Sequence, residues 1–148
     1  MVVVAVAFAS VTTLAQRPEA QPSRVEYRAG QSWRYAGDGP TITILKVEDL
    51  HKIGRVIHVR VDNIPVPGCA GIHLTKTIDH LALTEKVMRK SVNDLLRENA
   101  DLPDSYFDGY REWQKQKKPE IDRNATIADV VRKDVDLPLI CNFLPAET

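Results

Sequence analysis

Two cysteines and four histidines are the N and S side chains of this sequence best suited to binding a metal. The densest grouping is Cys69-x3-His73-x6-His80, with Cys141 far along the chain. Four N/S ligands make a tetrahedral zinc site, but this spacing is no known ligand pattern. A disulfide would consume both sulfurs, and His73 and His80, seven apart, fall on opposite faces of a continuous strand. No metal and no cofactor is therefore expected. Asp79-His80 and several serines supply hydrolase ingredients, but no G-x-S-x-G elbow is present and no catalytic residue is assigned. Gly37-Asp38-Gly39 lacks the Lys-Ser/Thr of a phosphate loop and reads as a turn. Asn124-Ala125-Thr126 matches a glycosylation acceptor, which matters only in a eukaryotic secretory pathway.

The aromatic residues Trp33, Tyr35, Tyr106, Phe107, Tyr110 and Trp113 repeat at strand or helix spacing. They read first as core, and secondarily as the lining of a groove where helix meets sheet. Arg34, His58 and Arg60 form an outward stripe that reads as a solvated sheet face or as a surface for an acidic partner. Trp33, Tyr35, His58, Arg60, Tyr110 and Trp113 are thus the weak ligand-binding candidates.

The elements that must position these residues follow from periodicity. QSWRYA alternates as a strand, and AGDGPT turns. TITILKVED is rich in β-branched residues. Ile42 and Ile44 share one face while Leu45 and Val47 take the other, so either a bulge re-phases this strand or both faces are covered. RVIHVRVDNIPV places Ile57, Val59 and Val61 opposite Val56, His58 and Arg60. GIHLTKTIDHLAL reads as a fourth strand with Ile72, Leu74 and Ile78 inward. A helix follows from Thr84 through about Glu98, with the stripe Val87, Met88, Val92, Leu95 and Leu96. Ser105 with Asp108, and Thr126 with Asp129, resemble capping boxes for two more helices. Lys115, Lys117 and Lys118 suit the end of the second. The apolar tail DLPLICNFLP reads as an edge strand. The expected fold is α+β: an antiparallel meander of about four strands, then two to three helices on one sheet face.

The opening, MVVVAVAFASVTTLAQ, carries no charged side chain in a chain that is 27% charged. As a helix, residues 2–15 span about 21 Å, short of the roughly 30 Å hydrocarbon core. Thr13 and Ala15 fit the −3 and −1 positions of a signal-peptidase site, although no Lys or Arg precedes the apolar run. The reading is a signal peptide at 1–15, a polar leader at 16–26, and one α+β domain at 27–148. The expected location is the periplasm or outside the cell, with no membrane span in the mature chain. In that compartment Cys69 and Cys141 are expected to pair. The bridge closes a loop of about 70 residues, worth roughly 4 kcal/mol in the chain-entropy account. Two separate buried thiols are the alternative. Charges balance at 20 against 20, leaving no long-range field to gather nucleic acid.

Tyr27-Arg28-Ala29-Gly30-Gln31-x-Trp33-x-Tyr35, Leu45-Lys46-Val47-Glu48, Val56-Ile57-His58-Val59 and Gly109-Tyr110-Arg111-x-Trp113 resemble a group of small bacterial proteins of unknown function. His80-Leu81, Leu102-Pro103-Asp104 and Thr126-Ile127 extend the likeness, and the chain departs from it at AGDGP and IPVPGCAGI. The resemblance implies one domain and brings no activity. The sequence thus points to an exported, non-enzymatic domain that binds a protein or small ligand in the cell envelope. An inhibitor or toxin-immunity role fits its size. The rival reading is a small metal-dependent protein or hydrolase using His73, Asp79 and His80.

Overall fold

The structure, a computed structural model, describes residues 25–35, 39–66 and 74–135. The opening apolar run, Cys69, Ile72, His73, Cys141 and the DLPLICNFLP tail lie outside the described residues, and with them the expected signal, disulfide and last strand.

Five strands form one antiparallel sheet: β1 (Ser32–Tyr35), β2 (Thr41–Leu50), β3 (Gly54–Val66), β4 (Leu74–Thr84) and β5 (Val92–Arg97), in the order β4-β3-β2-β1-β5. Helix α1 (Glu85–Ser91) links β4 to β5. A 3₁₀ turn (Asp104–Phe107) leads into α2 (Asp108–Gln114), and α3 (Ile127–Val135) follows. The α+β architecture and the antiparallel meander are as expected, with one strand more.

Alternation along the strands builds two cores. Ile42, Ile44, Ile57, Val59, Val61, Ile64 and Leu83 are fully buried on one face with Tyr27 and Trp33. Val87 and Met88 of α1 and Ile127 of α3 close that face. Val56 and Ala82 point the other way and pack under Tyr110 and Trp113 of α2. The helices therefore divide between the two faces. The sequence-level picture of a solvated outward stripe fails at His58, which is 0% exposed because α2 covers it.

Three irregularities set which side chains meet. Ile44 pairs with Val59 but Lys46 with His58, so β2 carries one extra residue. That bulge brings Val47 back to the Ile42–Ile44 face and turns Lys46 and Glu48 toward His58. On β4, Leu81 pairs with Val59 and Ile78 with Val61, so three steps match two, and the extra residue falls at Asp79–His80. A further shift separates Val61 from Ile64, where Asn63 takes φ 60°.

One boundary and one facing differ from the periodicity reading. The expected helix through Glu98 stops at Ser91, where Val92 is already extended (φ −121°, ψ 148°). Residues 92–97 instead pair with β1, whose outer edge would otherwise be open. Pairing overrides the helical stripe, and Leu95 and Leu96 remain 37% and 45% exposed. Ser91 fixes the break: its Oγ donates to Val87 O (2.9 Å) and accepts from Ile127 N–H (3.1 Å). Leu74, expected inward, is 47% exposed near the end of β4.

The caps are mixed. Thr126 and Asp129 form the expected box: the Thr126 N–H donates to Asp129 Oδ2 (2.9 Å) and the Asp129 N–H to Thr126 Oγ1 (3.3 Å). Ser105 and Asp108 form none, because the 3₁₀ turn makes Phe107 the residue before α2, and Asp108 pairs with Arg111 instead. Among the described residues no helix is long and apolar enough to cross a membrane.

Candidate functional site

The face under α2 holds a polar chain inside an aromatic shell. His58 Nε2 lies 2.9 Å from Glu48 Oε1, and His58 Nδ1 lies 3.0 Å from His80 Nε2. Glu48 is a carboxylate held below its usual range. Burial alone would raise it, but Lys46 and His58 together outweigh that. An ionised carboxylate only accepts, so His58 donates through Nε2 and is left with a lone pair at Nδ1. His80 must then donate through Nε2, which leaves its own Nδ1 as a bare acceptor. That nitrogen has no partner among the described residues.

Both imidazoles are neutral. Burial lowers His58 against the pull of Glu48, and burial with the neighbouring His58 lowers His80 to about 4. Tyr110 and Trp113 sit edge-on to His58, with ring centres 4.8 and 4.7 Å away. The Tyr110 hydroxyl accepts from Lys46 Nζ (2.5 Å) and Gln114 Nε2 (2.8 Å), and Lys46 also pairs with Glu48 (3.1 Å). The Trp113 indole N–H donates to Glu120 O (2.8 Å), tying the chain after α2 back onto it.

Gly109 is what lets α2 sit this low. A Cβ there would lie 2.6 Å from His80 Cβ, closer than two carbons approach without displacement. Next to it, Arg60 lies over the Tyr106 ring (4.3 Å) and pairs with Asp79 (2.6 Å) and Asp62 (2.9 Å).

A cleft of about 560 Å³ opens beside His80, between α2, the outer edge of β4 and α3. His80, Trp113, Glu120, Asp122, Val130 and Lys133 line it. Asp122 is anchored by its backbone. Its N–H donates to Ala82 O (2.8 Å) and its carbonyl accepts from Thr84 N–H (3.0 Å), a one-residue parallel bridge on β4. Burial, and then the nearby Glu120, push the Asp122 carboxyl up. A larger depression of about 750 Å³ lies elsewhere, against Glu26, Asp49, Arg55 and Glu85, and has no imidazole or aromatic wall.

The structure splits the candidate ligand-binding set. His58, Arg60, Tyr110 and Trp113 gather on the α2 face. Trp33 and Tyr35 pack into the opposite core, Trp33 edge-on to Tyr27 at 5.4 Å. Of the rival triad, Asp79 is held by Arg60, His80 is turned to His58, and His73 is outside the described residues. No serine or threonine hydroxyl bonds to either imidazole among the described residues. The two histidines present nitrogens to each other rather than to a common point, and no group of three His, Cys, Asp or Glu poised for a metal occurs among the described residues. Lys46, Glu48, Gly109 and Asp122 join the site without being sequence candidates for it; the glycine inside an aromatic-rich helix is the one local signal of close approach. No family model, curated protein or solved structure matches this chain.

Proposed function

We propose that the chain is an exported, non-enzymatic domain that binds a ligand in the cleft between α2 and β4. The supporting observation is that the cleft is walled by Trp113 and by His80, whose Nδ1 keeps a lone pair. The volume falls within the range of small-ligand sites, and one wall is a large indole. The Glu48–His58 chain fixes the tautomer of His80, so the acceptor is pre-oriented before any ligand arrives. With its conjugate acid near 4, His80 is a weak base at neutral pH, which favours recognition over proton transfer. Export rests on the apolar opening of the sequence, and a Cys69–Cys141 bridge goes with it.

A fragment screen by NMR on the 15N-labelled protein tests the binding reading. Hits should move the Trp113 indole N–H and the His80 ring signals. They should vanish in Gln116→Trp, which fills the cleft from an exposed lining position. Hits that map elsewhere, or that survive Gln116→Trp, would remove the cleft from consideration. N-terminal sequencing and a thiol count of the natural product test export. A cytosolic chain still carrying residues 2–8, with two free thiols, would end that part of the proposal.

A further inference from the structure

The polar groups facing the cleft are unevenly matched. His80 is part of the lining and keeps a lone pair at Nδ1. The carboxylates of Glu120 and Asp122 have no hydrogen bond or ion pair among the described residues, whereas Glu112 is taken by Lys115 at 2.6 Å. Against these three acceptors stand only the Lys133 ammonium and the Gln116 amide as donors. Ile78, Leu81, Ala82 and the Trp113 ring supply the apolar remainder. The raised Asp122 carboxyl has the same origin: a partly buried acid beside a second acid, with too little positive charge to satisfy both. A ligand carrying N–H donors and a positive charge would relieve that crowding, and an anion would add to it.

Resting on the cleft reading above, we infer that the cleft takes a small organic amine, protonated at neutral pH, with an aromatic or branched aliphatic body. The body lies against Trp113 and the β4 side chains. The ammonium donates to the carboxylates of Glu120 and Asp122, and His80 forms part of the wall. Lys133 stands at the rim, where it limits affinity rather than creating it.

Phenethylamine and phenylacetate separate the possibilities, since they share a ring and a chain and differ in the sign of their charge. Each is titrated into the 15N-labelled full chain while the Trp113 indole N–H and the His80 ring protons are followed. The amine is expected to bind at least tenfold more tightly than the acid. Glu120→Gln, an exposed change that leaves the fold alone, should weaken the amine about fivefold. Asp122→Asn, which keeps the backbone bridge, should do the same, and Lys133→Gln should tighten it. Equal or tighter binding of phenylacetate at these signals overturns the assignment to amines while leaving the cleft as a ligand site. If neither compound moves these signals up to its solubility limit, the amine assignment falls, and the fragment screen decides the cleft reading separately. Binding of the amine that is indifferent to Glu120→Gln and Asp122→Asn also overturns the assignment.

Discussion

At the scale of single residues, the protein hides two imidazoles in neutral form. In the unfolded chain they take up protons near pH 6.5, whereas folded His80 does so only near 4 and folded His58 is also depressed. Between those values the unfolded state binds more protons. The stability gained by keeping the rings neutral is therefore whole above pH 6.5 and is lost as the pH falls toward 4. Glu48, depressed in the fold, adds a separate loss at more acid pH, below its unfolded value of about 4.3. Thermal melts from pH 7.5 to 3 should show a fall across the histidine window, and His80→Asn should make that fall shallower. Thr84 is a different case. Its Oγ1 is buried without a partner among the described residues and does not cap α1, although Thr84 occupies the capping position. Thr84→Val keeps the shape and deletes the unsatisfied hydroxyl, so urea unfolding should show it neutral or stabilised by up to about 1 kcal/mol.

At the scale of elements, α2 depends on one missing methyl group. Gly109→Ala gains about 1 kcal/mol in helix propensity but drives a carbon into His80 Cβ. Overpacking costs about 1–3 kcal/mol, so a net loss is expected in the urea midpoint, with a shifted Trp113 emission as the helix lifts. An unchanged midpoint would mean that α2 does not seat against β4 as described. In α3, Thr126→Ala should cost about 1 kcal/mol through the lost cap, read from the same curves. These elements also show what was legible beforehand. The Thr126–Asp129 box and the strand alternation of 55–61 are local signals, and the structure follows them. The switch from helix to strand at Val92 was not legible, because its cause is an open β1 edge some sixty residues earlier. The His58–His80 pair was hidden for a related reason. It needs the bulge at Asp79–His80, and only the β3–β4 register reveals that.

At the scale of the molecule, one sheet carries two unequal cores. The face closed by α1 and α3 holds most of the fully buried aliphatic side chains. The α2 face relies on Val56, Ala82, two aromatic rings and the polar chain between them. Hydrogen exchange should therefore find the α2 amides opening at lower free energy than those of β3, with the 3₁₀ turn following α2. Uniform protection across both layers would show that the two cores unfold as one unit. The cleft borders both layers, α2 on one side and α3 on the other.

The two tryptophans are distributed one to each layer: Trp33 stands against Tyr27, Trp113 among the imidazoles. The protein thus comes with its own pair of lamps, one above the sheet and one below. Replacing either by phenylalanine leaves a single tryptophan, so excitation at the red edge, where tyrosine does not absorb, lets an ordinary fluorimeter watch one storey of the building while the other goes dark.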